Sequence, residues 1–285
     1  MKNKILLALS VVGLIFLLLF AINIFSYRSY DTEKQSKQPD SVTVENNDST
    51  YTSLENFTNI SMNVLASDVS VVTGTEFSIQ YNLRSKEGIQ QEEVVDGTFY
   101  FIVDPNWDAK QKQTDHKVII TVPKDTALGT VSISSISGSI TISNLQISQG
   151  TFDTTSGNID LSHVTAAQSS AKTVSGKITT SESTIKTFDA KNTSGAISGN
   201  GYFEQVQMKS ISGNCRLSGS LANSATIQTT SGNIKVSAPV SSIHAETKRN
   251  IKIGEDVYSH SYYMNDGQPE VTLESVSGTI HVQKK

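Results

Sequence analysis

Residues 154–199, TTSGNIDLSHVTAAQSSAKTVSGKITTSESTIKTFDAKNTSGAISG, carry the dipeptide Ser-Gly at intervals of 19 residues, at Gly157, Gly176 and Gly195, with one more pair out of that register at Gly199. The same register continues through Gly138 on one side and Gly213, Gly232 and Gly278 on the other. Steps of 19, 19, 19, 18 and 19 residues are followed by one gap of 46, which holds a degenerate repeat at Arg249 and an insertion. A short fixed period of this kind marks a stack of similar units that share one interior.

Alignment on the glycine shows what each position does. Two residues later stand Ile140, Ile159, Ile178, Ile197, Cys215, Ile234, Ile251 and Ile280, and four residues later mostly Ile, Leu or Val. The residues between are polar: Thr141, Asp160, Thr179, Ser198, Arg216, Lys235, Lys252 and His281. Alternation with a period of two is the pattern of a strand with one buried face, whereas a helix needs apolar residues every three or four positions. Glycine suits a corner because it reaches positive φ without a Cβ clash, and the serine before it can bond to nearby backbone. The sequence therefore predicts an all-β fold, a β-solenoid of ~19-residue Ser-Gly repeats. Regular coils are expected over 131–285, with an inserted loop at 254–270. Residues 55–130 read as irregular first β-coils that cap the stack, or alternatively as a small separate β-domain.

The N-terminus adds a different signal. Residues 5–25, ILLALSVVGLIFLLLFAINIF, form an apolar run of the ~20 residues a membrane span needs. Lys2 and Lys4 precede it, which favours a short cytoplasmic N-terminus (1–4), although Arg28 on the far side opposes that orientation. A cleaved signal peptide is the rival reading; its apolar core is ordinarily shorter and ends at small residues. Residues 26–54 are polar and read as a flexible extracellular stalk. Beyond residue 30 lie 20 of the 23 Lys and Arg and all 27 Asp and Glu, a balance of −7 that disfavours nucleic acid as a partner. The single cysteine, Cys215, can form no intramolecular disulfide, and its place in the isoleucine column predicts a buried core residue.

The segments VIITVPKDTALGTVSISSISGSITI (118–142), TTSGNIDL, TVSGKITT, NTSGAISG, SISGNCRL and TTSGNIKV, with ASDVSVVTG (66–74) before them, resemble the putative-adhesin β-strand-repeat family of bacterial cell-envelope proteins, which includes LiaG-like proteins. The resemblance covers most of 57–285. It implies a surface-exposed, non-enzymatic protein and brings no functional residues with it.

Catalytic chemistry finds little support in the residues. Asp153, Asp160, Glu182, Asp189 and Glu204 share no register, although Asp153 and Asp160 would lie near one another. His116, His163, His244, His260 and His281 show no zinc-ligand spacing. There is no G-x-S-x-G elbow and no phosphate-binding loop, so no catalytic residue, metal or cofactor is expected.

Two features point to binding. Arg216, Lys235 and Lys252 occupy one outward column late in the stack and would form a cationic strip able to attract phosphate-rich wall polymer or anionic lipid. Asn214, Asn233 and Asn250 should stack beside it and offer amides to sugar hydroxyls; the alternative is a solvated face whose asparagines only support strand stacking. The insertion carries Tyr258, His260, Tyr262, Tyr263 and Met264, suited either to partner contacts or to covering the C-terminal coil. The expected function is a membrane-anchored cell-surface module that adheres to or organises envelope components. An accessory or sensor partner in envelope-stress signalling is the alternative, and a polysaccharide-degrading β-helix enzyme a weaker one.

Overall fold

The computed structural model describes residues 44–46, 49–83, 88–104 and 116–283. The expected cytoplasmic N-terminus, the anchor at 5–25 and the first part of the stalk lie outside the described residues. Among the described residues no helix is long and apolar enough to cross a membrane. They are all-β, with twenty-one strands hydrogen-bonded into one sheet.

The repeats pair in parallel at the offset their period sets. Ile140 lies opposite Ile159, Ile159 opposite Ile178, and Ile178 opposite Ile197. Each repeat thus forms one rung, with a short strand after the glycine and a longer one before the next corner, as in Ile159–Ser162 and Thr165–Thr173. The isoleucines of the short strands are buried. Inside the longer strands, large and small residues trade places from rung to rung. Gly150, Ser169 and Phe188 follow one another in one column, and Phe152, Ala171 and Ala190 in the next. Phe152 fills the space above Gly150, since a Cβ there would meet its ring at 2.6 Å; interior volume is conserved by such exchange.

The glycine column has a different cause from the one the sequence suggests. Of its seven members only Gly195 has a positive φ, +112°. What requires glycine is close approach: a Cβ on Gly157, Gly176, Gly213 or Gly232 would lie 1.7–1.9 Å from the carbonyl oxygen of the glycine one rung before. The preceding serine bonds to the neighbouring rung's backbone at several corners, Ser194 Oγ donating to Val174 O at 3.4 Å and Ser277 Oγ to Thr230 O at 3.2 Å. A hydroxyl three residues before the glycine braces the corner more closely. Thr173 Oγ1 accepts from Gly176 N–H at 3.1 Å and donates to Gly157 O at 3.1 Å. Thr154 and Thr229 repeat this arrangement. These buried hydroxyls satisfy one donor and one acceptor at once, as burial demands.

Chain order and rung order differ at both ends. Ile234 lies opposite Ile280, and Ile280 opposite Ile251, so the last strands in sequence are inserted between the two repeats that precede them. The glycine rule explains this. Gly278 can rest on Gly232, its would-be Cβ 1.8 Å from Gly232 O. The degenerate corner, Thr247-Lys248-Arg249-Asn250, is one residue shorter than Thr229-Thr230-Ser231-Gly232-Asn233 and brings no glycine to that contact. At the other end Asn59–Asn63 lies between Thr98–Val103 and Ala127–Ser135.

Antiparallel strands close both ends. Ser78–Tyr81 pairs antiparallel with Lys117–Pro123, and Ser49–Ser53 with Ser78–Tyr81. The expected stalk is therefore partly folded, because Val44–Asn46 and Ser49–Ser53 extend this antiparallel edge. The expected loop at 254–270 is likewise mostly strand. Asp256–Met264 turns back on Ser242–Ile253 as an antiparallel hairpin and becomes the outermost strand of that end.

Candidate functional site

The outward column after the glycine corner contains the predicted cations and one residue more. Arg216 lies opposite Lys235, Lys235 opposite His281, and His281 opposite Lys252. Because the C-terminal rung is inserted, Lys235 and Lys252 are two rungs apart, about 9–10 Å at strand spacing. Arg216 is exposed, Lys235 and His281 are half-exposed, and the Lys252 ammonium bonds to Glu255 at 3.2 Å. Burial, and then the charges of Lys235 and Lys252, push His281 below the usual histidine range, with Glu255 opposing. At neutral pH it is uncharged, a hydrogen-bonding ring set among three cations. Its alignment with Lys235 could be read from the repeat, but its place between the two lysines could not.

The asparagines are committed to the fold. Asn214 Oδ1 accepts from Asn233 N–H at 2.8 Å, and Asn233 Oδ1 accepts from Thr279 N–H at 2.8 Å. Thr279, not Asn250, follows Asn233, which corrects the expected three-residue stack. Asn250 lies opposite Ser259 on the terminal hairpin. The side-chain carbonyls thus tie one rung to the next, the arrangement expected of a supporting ladder.

The aromatic residues divide between covering and display. Tyr258 and Tyr262 lie opposite Ile251 and Ala245, pack on the core, and hold their rings 4.5 Å apart. Burial, with Asp256 next, raises the Tyr258 hydroxyl pKa. Tyr263 turns the other way, 70% exposed, with His244 edge-on at 5.9 Å. Val257 on the same strand is 63% exposed. Of the two roles expected for the insertion, covering the end of the core falls to Tyr258 and Tyr262.

The acids do not converge. Asp153 lies opposite Lys172 and Asp160 opposite Thr179, on strands either side of a corner. Burial raises the Asp153 carboxyl pKa, Lys172 opposing. Cys215 is buried, and burial pushes its thiol up to about 12, well away from nucleophilic use. Among the described residues no three His, Cys, Asp or Glu gather as a metal site would require. A cleft of about 260 Å³ lies at the C-terminal end, lined by Pro239, Val240, Ile243, Met264 and Pro269 among others.

With this geometry in hand, similarity places the chain. The Toastrack DUF4097 family model matches residues 40–283, and the chain belongs to that family. A search of curated proteins finds no match. Among solved structures, a putative adhesin from Bacteroides fragilis is 15% identical with a TM-score of 0.50, covering 82% of this chain and 95% of its own. A putative lipid binding protein from Parabacteroides distasonis is 16% identical with a TM-score of 0.52, covering 83% and 96%. At these identities the likeness is one of fold.

Proposed function

We propose that this Toastrack chain is a non-enzymatic cell-surface binding module, a β-solenoid held by an N-terminal anchor at 5–25 with its bulk outside the cell. The observation that carries the reading is the Arg216–Lys235–His281–Lys252 column, four donors on neighbouring rungs of a chain that is acidic overall. Such a strip suits a linear anion, phosphate-rich wall polymer above all, because its donors repeat at the strand spacing. The fold's occurrence in proteins described as a putative adhesin and a putative lipid binding protein supports binding rather than turnover.

The test is retention of the full chain, in a neutral detergent, on purified wall polymer and on an anionic vesicle. The triple variant Arg216→Gln, Lys235→Gln, Lys252→Gln should lose salt-sensitive retention. Unchanged retention would refute the strip as the site. The exposed Tyr263 and Val257 favour one alternative, an accessory role in envelope-stress signalling through a membrane-protein partner. Capture of a single membrane protein, with none of the polymer bound, would select it.

A further inference from the structure

A second ladder, on the strands before the glycine corner, is unused by that reading. Four residues before Gly176 and each later glycine, Lys172, which has Asp153 on its other side, lies opposite Lys191, Lys191 opposite Lys209, and Lys209 opposite Gln228. The ladder continues with Gln228 opposite Glu274 and Glu274 opposite Glu246. All six point outward, between buried neighbours such as Ala171, Thr173, Leu273 and Ser275. Three cations are thus followed by one amide and two carboxylates. In sequence Glu246 comes before Glu274; insertion of the C-terminal rung sets their spatial order and brings Glu274 against Gln228.

We propose that this face is a self-association surface whose occupant is a second copy of the chain, packed face to face with its stack running the opposite way. A two-fold axis parallel to the strands, passing between Lys209 and Gln228, pairs the ladder with itself. It sets Lys172 against Glu246 of the partner subunit, Lys191 against Glu274 of the partner subunit, and Lys209 against Gln228 of the partner subunit. An isologous contact requires this kind of self-complementarity, and a ladder of one sign would not provide it.

The neighbouring column, two residues earlier, obeys the same axis. Its order is Ser170, Asp189, Gln207, Thr226, Thr272 and His244. Asp189 then meets the hydroxyl of Thr272 of the partner subunit, a donor for its carboxylate, and Gln207 meets Thr226 of the partner subunit. Copies stacked in the same direction would instead set lysine on lysine, which costs affinity.

Within one copy Lys191 bonds to Asp189 at 2.6 Å, Gln228 donates to Glu274 at 2.9 Å, and His244 and Glu246 lie 3.2 Å apart. These half-exposed bonds are shared on association rather than newly made, so each intermolecular pair contributes little. Six rungs span about 24 Å and the two outward columns about 14 Å, a patch of roughly 340 Å², less than the about 800 Å² per partner of a stable interface. The dimer is therefore concentration-dependent and weakened by salt.

The full chain in a neutral detergent tests this. In the double variant Lys172→Cys, Glu246→Cys, the two cysteines of one copy stand about 24 Å apart, whereas across face-to-face sheets the cysteine at position 172 and that at position 246 of the partner subunit would be about 10 Å apart. A bismaleimide crosslinker of about 10 Å reach should therefore give linked dimers; Cys215, 1% exposed, takes no part. By sedimentation, Lys191→Glu and Glu274→Lys should each weaken the dimer about tenfold. Their combination should restore it, because the swapped charges meet again across the axis. Absence of the linked dimer, or failure of the double swap to recover association, overturns the proposal. So does a monomeric chain that binds polyphosphate through Lys191, which would make the face an anion site.

Discussion

Replacing Gly176 by alanine tests why the repeat keeps its glycine. The new Cβ would lie 1.7 Å from Gly157 O, 2.6 Å from Gly157 C and 2.9 Å from Thr173 Oγ1. Side-chain carbons essentially never approach such atoms closer than 3.0 Å, so the corner must shift by more than about 1 Å. Four hydrogen bonds cross or brace that corner. They are Gly176 N–H to Thr173 Oγ1 (3.1 Å), Thr173 Oγ1–H to Gly157 O (3.1 Å), Val174 N–H to Thr155 O (3.1 Å) and Ser175 N–H to Thr155 O (2.9 Å). A shift of this size takes each beyond hydrogen-bonding range. At about 1 kcal/mol net apiece the loss is ~4 kcal/mol, before any penalty for groups left buried and unpaired. That is a large fraction of the roughly 5–15 kcal/mol that holds a folded domain together. The control is Gly267→Ala, where φ is +90° but no atom lies within 4 Å of the added carbon; only left-handed strain remains, about 1–2 kcal/mol. Urea unfolding of the full chain, followed by β-sheet circular dichroism, should show the first loss of structure at least ~1 M earlier in Gly176→Ala. Gly176→Asn separates the two explanations, because asparagine tolerates positive φ but still carries a Cβ. A Gly176→Asn midpoint near that of the parent would refute close approach as the cause, as would a shift in Gly176→Ala smaller than in Gly267→Ala.

Two further outcomes follow from single residues. Ser169 is 3% exposed in an apolar column, and its Oγ has no hydrogen-bond partner; Ser169→Ala should leave stability unchanged or raise it by up to ~1 kcal/mol, and a clear loss in melting temperature would contradict that placement. His281 titrates below its unfolded value of about 6.5, so the unfolded chain binds the proton more readily and stability falls as pH drops through and below 6.5. His281→Gln should flatten this fall in a comparison of melting temperatures at pH 7.5 and 5.5, and an identical fall in parent and variant would assign the pH dependence elsewhere.

Period and alternation alone determined the all-β class, the 19-residue pairing of Ile140, Ile159, Ile178 and Ile197, and the outward column of Arg216, Lys235 and Lys252. Those features depend on which face of a strand a side chain takes, and a period of two records that directly. The reason for the glycine was not legible, because close approach to a carbonyl involves the rung below, 19 residues distant in the chain. The hydroxyl three residues before the glycine was written in the sequence at Thr154, Thr173 and Thr229, but its double role appears only when the rungs are stacked. Rung order was decided by the tertiary structure. Sequence places Ile251 next after Ile234, yet Ile280 lies between them, since Gly278 can rest on Gly232 and the shortened Arg249 corner brings no glycine to that contact. From that one insertion come the histidine among the cations and the Gln228–Glu274–Glu246 half of the self-complementary ladder. A local pattern specifies faces, and only long-range packing specifies neighbours.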